Sequence, residues 1–208
     1  LHKKKETENN YFKQLQRQIK AYEELYGEYP WYEDGFKLVE SPFAGMEHQS
    51  AIAYGNSYKN DMNGTDDYII VHEAGHEWFG NAVTASDLAD VWLQEGFTTY
   101  GEALYLEKMY GFQAYKSHIG SYRFFIKNKY PVVGPKGRRY FDYKDGDVYV
   151  KGAWVLHSLR NTIENDSVFF DIIKTFYKEN NSGVTNSEAF IEVVERKTNK
   201  DYDWFFDQ

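Results

Sequence analysis

Two histidines and a glutamate in the stretch HEAGH have the residue types and the spacing that metal-assisted hydrolysis requires. His72 and His76 lie four residues apart, and on an α-helix that spacing places two side chains on the same face. Two neighbouring imidazoles can supply two nitrogen ligands to one metal ion. Glu73 lies about 100° around the helix from His72, so its carboxylate can reach the open side of the metal and deprotonate a water molecule.

A third ligand is needed, because a catalytic zinc ion takes three protein ligands and leaves a fourth position for water. Eighteen residues separate His76 from Glu95 in the stretch WLQEGF, which is enough for a loop and the start of a second helix packed on the first. The set His72, His76 and Glu95 therefore predicts one zinc ion per chain. HEAGH taken alone also fits a surface helix with two solvated histidines.

The stretches HEAGHEWFGN and DVWLQEGFTTYGEALY together resemble the M1 family of zinc aminopeptidases, gluzincins with HExxH, eighteen residues and then Glu. The resemblance implies one α+β, mostly helical domain of the thermolysin-like type over residues 1–208. It implies a small sheet in an upper lobe (about residues 1–85), a helical lower lobe (about residues 86–208) and a zinc-binding cleft between them. We expect the family's flanking N-terminal and C-terminal domains to be absent from this sequence.

The segment before HEAGH supplies candidates for substrate recognition. Residues 44–48 are Ala-Gly-Met-Glu-His, where the family's exopeptidase signature is Gly, any residue, Met, Glu and Asn. The resemblance implies that Gly45, Met46, Glu47 and His48 form the substrate-binding segment, with Glu47 holding the free α-amino group. A carboxylate suits that task because it pairs with an ammonium group and repels another carboxylate. Glu47 also fits an exposed edge strand, and His48 either binds substrate in place of Asn or packs.

A tyrosine further along the chain is the candidate for oxyanion stabilisation. Tyr149, Lys151 and Gly152 match a Tyr-x-Lys-Gly element of the same family at the start of a predicted helix. The resemblance implies that the Tyr149 hydroxyl faces the substrate carbonyl, whose oxygen gains negative charge as water attacks. The chain has 19 tyrosines, and an arbitrary one is more often a packing residue.

The elements that must position these residues follow from apolar spacing and turn residues. A stripe from Tyr11 to Tyr26 predicts a helix over residues 6–26 that Gly27 ends. The first metal-binding helix is predicted over residues 66–81, with Gly80 near its end. Strands are predicted over residues 36–40 and 49–55, and further helices over 90–109, 112–128, from about Tyr149 onward, 167–180 and 186–198.

On the second metal-binding helix, two side chains are candidates for orienting a ligand histidine. Glu102 lies seven residues beyond Glu95, two turns along the same face, and Thr99 lies one turn beyond it. An acceptor at either position would fix the tautomer of the histidine ring. A solvated Glu102 fits the sequence equally well.

Composition excludes some classes of partner. The 208 residues carry a net charge of −8, which argues against nucleic acid. No apolar run is long enough to span a membrane, and the absence of cysteine leaves the redox compartment undetermined. We expect a piece of a longer protein, because the sequence opens on the solvated stretch LHKKKETENN. For the location of the protein, only the usual location of family members favours the cell envelope or secretion.

These observations predict a zinc metallopeptidase that removes N-terminal residues from peptides with a free amino terminus. Two alternatives stay open. The same scaffold also suits another zinc hydrolase, either an endopeptidase or an epoxide hydrolase. The departures from the signature at Ala44 and His48 leave room for an inactive binding protein of the same ancestry.

Overall fold

The computed structural model describes residues 2–138 and 146–208, without the side chains of residues 2–9 and Phe12. Helices dominate this part of the chain and strands are few and short, which confirms the predicted α+β, mostly helical class. The elements are α1 (His2–Tyr26), β1 (Lys37–Glu40), β2 (Gly45–Met46), β3 (Ala51–Tyr54), α2 (Tyr68–Gly75), β4 (Val83–Ala85), α3 (Trp92–Tyr110), α4 (Phe112–Tyr122), α5 (Asp147–Ile163), α6 (Asp166–Asn180), β5 (Gly183–Thr185), α7 (Ser187–Thr198) and α8 (Asp203–Phe206).

The first helix packs an aromatic stripe into the core, as its spacing predicts. Tyr11, Leu15, Tyr22 and Tyr26 are buried, and the Tyr22 hydroxyl donates to the backbone carbonyl of Val71 in α2 at 2.9 Å. Because α1 packs against α2, α3 and α6, it supports the helices on which the candidate metal ligands lie. Within the described residues, no helix is long and apolar enough to cross a membrane.

The main sheet has three strands in the order β1-β3-β2. The predicted strands over residues 36–40 and 49–55 are confirmed as β1 and β3, which pair in parallel. The two-residue strand β2 adds antiparallel to β3, with Gly45 opposite Tyr54 and Met46 opposite Ala53. Strands β4 and β5 form a separate parallel pair. β4 and β5 are far from each other in the sequence and each has only three residues, so no local sequence pattern predicted them.

The first metal-binding helix is shorter than predicted. Asp67 caps it, with its side chain accepting from the N–H of Ile69 at 3.1 Å, and the α-helix ends at Gly75 rather than near residue 81. Beyond that point the N–H groups of Asn81, Ala82 and Val83 bond to carbonyls five residues earlier. These wider turns redirect the chain into β4. His76 nevertheless keeps right-handed helical angles, with φ −64° and ψ −17°.

The fourth helix also ends early, at Tyr122 instead of residue 128. The Asp147 carboxylate at the start of α5 accepts from the backbone N–H of Lys127 at 2.8 Å and of Asn128 at 2.6 Å. In a helix continued to residue 128, these two N–H groups would bond to carbonyls of α4. Here they bond to α5 instead. This contact ties the loop after α4 to the helix that carries Tyr149.

Helices α3 and α5 cross at two glycines. A Cβ atom built on Gly96 would lie 2.9 Å from Cα of Gly152, a distance that real Cβ contacts do not reach. Only glycine at both positions permits this approach of the backbones. It brings the first turns of α3 and α5 together, and with them Glu95 and Tyr149.

Candidate active site

Three side chains from α2 and α3 meet at one point. His72 lies on α2, His76 forms its C-terminal cap and Glu95 lies in the first turn of α3. The two Nε2 atoms are 3.2 Å apart, and Oε2 of Glu95 lies 3.3 Å from Nε2 of His76 and 3.7 Å from Nε2 of His72. None of the three side chains is more than 12% exposed.

Hydrogen bonds on the far side of each ring fix its orientation. Nδ1 of His72 lies 2.7 Å from Oε1 of Glu102, and Nδ1 of His76 lies 2.9 Å from the carbonyl oxygen of Phe79. An ionised carboxylate and a carbonyl can only accept, so each Nδ1 carries the proton. In the neutral rings both Nε2 lone pairs therefore face Glu95 and each other, as metal ligands do.

This donor set fits a zinc ion. Ligands of a tetrahedral zinc with bonds of about 2.1 Å lie about 3.4 Å from one another, close to the three separations observed here. Among the described residues, Oε2 of Glu95 has no hydrogen-bond partner although it is buried, and an unpaired buried carboxylate oxygen is costly unless a cation compensates it. Two nitrogens and one carboxylate are a usual protein set for a catalytic zinc ion.

The pKa shifts at this point favour positive charge. Burial acts to lower the pKa of His72, but the hydrogen bond to Glu102 and the neighbouring Glu95 outweigh it and raise that pKa well above its ordinary value. Burial acts to raise the pKa of Glu95, but the two histidines outweigh it and hold that pKa far below its usual range. The carboxylates thus favour positive charge on the two rings, and a metal ion held by both Nε2 atoms would supply that charge in place of protons.

Glu73 is buried beside this set, under the backbone of β2. A Cβ atom on Gly45 would lie 2.3 Å from Oε1 of Glu73, so glycine is required for the strand to lie across this carboxylate. Burial raises the pKa of Glu73, an effect that the two histidines oppose and that Glu47 and Glu95 increase. A carboxylate with a raised pKa is suited to accept and return a proton near neutral pH.

The rest of the predicted substrate-binding segment divides into two groups. Glu47 is half-buried, and a carboxylate oxygen of Glu47, one of Glu73 and a ring nitrogen of His76 all lie within 4.8 Å of one another. Met46 and His48 are exposed instead. The structure thus brings Gly45 and Glu47 to the metal-binding set and leaves the Met46 and His48 side chains at the surface.

Tyr149 lies in the first turn of α5, next to His72. Their ring centroids are 6.2 Å apart and the ring planes are inclined by 30°. Burial raises the pKa of Tyr149, and the nearby Glu95 carboxylate raises it further. The hydroxyl therefore stays protonated at neutral pH and can donate a hydrogen bond beside the three candidate ligands.

Behind the ligands lies a polar network that the sequence indicated only in part. Of the two possibilities left open for Glu102, the structure shows the buried one: Glu102 contacts His72. It also accepts from the Tyr122 hydroxyl at 2.6 Å and lies 3.3 Å from Nε2 of His118. Burial acts to raise the pKa of Glu102, but hydrogen bonds to both histidines hold it at about 2. His118 and Tyr122 lie on α4, and no spacing within a helix connects α4 to α3.

The prediction for Thr99 is wrong. Its hydroxyl is buried and finds no partner among the described residues. Thr98 takes the place instead, with Oγ1 3.2 Å from Nδ1 of His76 and 3.2 Å from the Phe79 carbonyl oxygen. Residues three and four apart both lie about one turn away, so the spacing from Glu95 did not distinguish the two threonines.

Known proteins with similar sequences were found over most of the chain. The Peptidase family M1 domain matches residues 11–208. Among curated relatives, aminopeptidase B of Rattus norvegicus is 37% identical over 83 residues, which cover 38% of this chain and 12% of that protein. Leucine aminopeptidase 2 of Emericella nidulans is 33% identical over 99 residues, covering 46% of this chain and 16% of that protein.

Solved structures share the fold. An M1 zinc metallopeptidase from Deinococcus radiodurans superimposes with a TM-score of 0.75 and 22% identity, over 92% of this chain and 42% of that one. Leukotriene A4 hydrolase from Saccharomyces cerevisiae gives a TM-score of 0.75 and 20% identity, over 92% of this chain and 32% of that one. The predicted thermolysin-like domain type is thereby confirmed. The chain spans less than half the length of either protein.

Proposed function

The chain belongs to peptidase family M1, and we propose that it is the catalytic part of a zinc aminopeptidase that removes N-terminal residues from peptides. One observation carries the proposal. Two histidine nitrogens and a buried carboxylate face one another within 3.7 Å, and a second carboxylate, that of Glu47, lies within 4.8 Å of Glu73 and His76. The first set suits a metal ion, and the second suits the substrate's ammonium group.

In this proposal His72, His76 and Glu95 hold one zinc ion per chain. When bound, zinc supplies Lewis acidity that polarises a carbonyl and makes a water molecule more acidic. Glu102 keeps His72 in the tautomer that presents Nε2, and the Phe79 carbonyl does the same for His76.

The proton transfers fall to Glu73. Its carboxylate takes a proton from the attacking water and later gives it to the departing amine. Its raised pKa serves the second step, because a stronger conjugate base holds the proton until the amine needs it. Gly45 keeps the carboxylate accessible, since any side chain at that position would overlap it.

Tyr149 stabilises the negative charge that develops on the substrate oxygen. Its protonated hydroxyl donates a hydrogen bond to the oxygen as negative charge develops there. The close crossing of α3 and α5 at Gly96 and Gly152 holds Tyr149 beside the ligands, so the donor is in place before the reaction begins.

Exopeptidase selectivity is assigned to Glu47. A half-buried carboxylate pairs with an α-ammonium group and gives nothing to an acylated terminus. Because Glu47 is so close to Glu73, the carbonyl beside Glu73 belongs to the same residue as the paired amine, and only the first peptide bond reaches Glu73. Met46 and His48 would line the outer edge of the substrate segment.

The same proposal treats residues 1–208 as one catalytic domain with an upper lobe to about residue 85 and a helical lower lobe from about residue 86. The N-terminal and C-terminal domains would be further parts of the same polypeptide. Its partner is a peptide with a free amino terminus, and nucleic acid is not a partner.

The test compares leucyl anilide with its N-acetylated form, using the full-length chain loaded with zinc. We expect the free amine to be preferred by about 10²-fold or more in kcat/KM, as loss of a charge pair in a partly buried site implies. Equal rates would support an endopeptidase instead. No hydrolysis of either compound by a zinc-loaded protein would support an inactive binding protein.

A further inference from the structure

A buried carboxylate next to the metal-binding set has no part in the proposed chemistry. Glu77 follows His76 and is fully buried. Its Oε1 accepts from the backbone N–H of Ser50 at 2.8 Å, and its Oε2 accepts from the Asn81 side-chain amide at 3.3 Å. Glu77 thus connects the end of the metal-binding helix to the turn that follows Glu47.

That turn contains a residue in a strained backbone conformation. Ser50 has a φ of 57°, a left-handed conformation that is unfavourable for a residue other than glycine. The N–H of His48 bonds to the Met46 carbonyl at 2.9 Å, and the N–H of Ala51 bonds to the His48 carbonyl at 3.0 Å. The buried Ser50 N–H has Glu77 as its acceptor. The Ser50 carbonyl accepts from the Lys37 N–H at 3.0 Å and its hydroxyl lies 3.3 Å from that of Tyr29, so loss of Glu77 would leave the N–H unpaired and remove one of the contacts that hold this strained residue.

A second contact fixes the other end of the same strand. The Tyr54 hydroxyl at the end of β3 donates to Oδ2 of Asp67 at 2.5 Å, and Asp67 caps the start of α2. Asp67 and Glu77 therefore hold β3 by its two ends against the helix that carries His72 and Glu73. Glu47 lies on the connection between β2 and β3, so its distance from the reacting groups depends on this attachment.

We propose that Glu77 is a positioning residue for recognition of the substrate's α-ammonium group. It holds the turn from Glu47 to Ser50 so that the Glu47 carboxylate stays beside Glu73 and His76. Glu77 does not touch the substrate. This inference rests on the aminopeptidase function proposed above. It adds Glu77 as the residue that maintains selectivity for a free α-ammonium group.

Three substitutions at Glu77 test the proposal in the zinc-loaded full-length chain. Glu77→Gln keeps an acceptor oxygen for Ser50. Glu77→Leu keeps a similar volume and removes the acceptor. Glu77→Asp keeps the charge and withdraws the oxygens by one methylene, so it remains informative if the leucine variant does not fold. Asn81→Ala is the matched control, because it removes the partner of Oε2 and leaves the bond to Ser50.

The readouts are the kcat/KM ratio of leucyl anilide to its N-acetylated form, the zinc content, and hydrogen exchange at the Ser50 amide. For Glu77→Leu and Glu77→Asp we expect the ratio to fall about tenfold, with zinc retained and faster exchange at Ser50. For Glu77→Gln and Asn81→Ala we expect a ratio within about threefold of the parent and a protected Ser50 amide.

Two results would overturn the inference, and they are distinguishable. If Glu47→Ala abolishes the preference for the free amine and Glu77→Leu and Glu77→Asp retain it, then Glu77 does not position Glu47 and the aminopeptidase function stands. If the parent shows no preference, or Glu47→Ala leaves it intact, amine recognition by Glu47 is itself wrong and the role of Glu77 falls with it.

Discussion

The candidate metal ligands and Glu47 lie within a few ångströms of one another, but the regions that carry them are built differently. His72, His76 and Glu95 come from two helices and are almost completely buried. Glu47 follows a two-residue strand whose neighbouring side chains Met46 and His48 are exposed. On the helix side every ring has a buried acceptor behind it, whereas the strand side depends on backbone bonds and on contacts with α2.

The difference shows what each region must do. Ligands of a metal ion need fixed orientations, and buried hydrogen bonds such as that from His72 to Glu102 provide them. A strand that receives a peptide must leave space above the reacting groups, and Gly45 does so because it has no side chain. We therefore expect substitutions on the helix side to affect turnover and zinc, and substitutions on the strand side to affect substrate choice.

The largest effect is expected at Glu73. Glu73→Gln removes the base and keeps the size of the side chain, so we expect kcat to fall by about 10²–10⁴-fold while zinc content stays at one ion per chain. Steady-state kinetics with metal analysis checks this. Undiminished turnover in the glutamine variant would exclude Glu73 as the base.

The next largest effect is expected at Tyr149. Tyr149→Phe removes one hydroxyl beside the ligands, and we expect kcat to fall by about 10²–10³-fold with a much smaller change in KM, because the hydrogen bond forms fully only in the transition state. Tyr32→Phe, at an exposed tyrosine, is the control. A large rise in KM with kcat unchanged would contradict an oxyanion role.

A smaller effect, on zinc rather than on turnover, is expected at Glu102. Glu102→Gln removes the charge that orients and polarises His72, so zinc affinity should weaken by about 10–100-fold. Competition with a chelator measures it. Glu107→Gln serves as the control on the same helix, since Glu107 pairs with Arg160 instead. Equal zinc affinity in both variants would mean that the network behind His72 does not support the metal.

The smallest effect is expected on the strand side, at His48. His48→Asn restores the residue of the family signature, but the side chain is exposed. We expect kcat/KM for leucyl anilide to change by less than about threefold, as for surface substitutions generally. A gain of tenfold or more would show that the strand side contributes to binding through residue 48, and the two regions would then differ less in function.

Predictions from the sequence succeeded where the signal lies within one segment. The resemblance to the M1 family implied the fold class, alternation of apolar and polar residues predicted β1 and β3, and the spacing from Glu95 within α3 made Glu102 a candidate for orienting His72. The early end of α2 follows from backbone bonds at residues 81–83, and the early end of α4 follows from capture of Lys127 and Asn128 by Asp147. Such contacts join residues from different elements, and no sequence pattern within one element predicts them.

The same limit applies to the strand side. β2 has only two residues, and its place is set by pairing with β3. The bond from Ser50 to Glu77 joins residues 27 positions apart. The approach of Gly45 to Glu73 likewise joins two elements, and nothing in the segment around Gly45 indicated it.

The proposed roles of Glu73 and Glu47 depend on which side chains bind the metal. The structure offers two sets that share His76: His72, His76 and Glu95, and the alternative Glu47, Glu73 and His76. Anomalous diffraction at the zinc edge, from crystals of the zinc-loaded full-length chain, separates them. We predict one anomalous peak, within bonding distance of Nε2 of His72, Nε2 of His76 and the Glu95 carboxylate. A peak bonded to Glu47 and Glu73 would contradict the account, because the proposed base and amine anchor would then both be ligands.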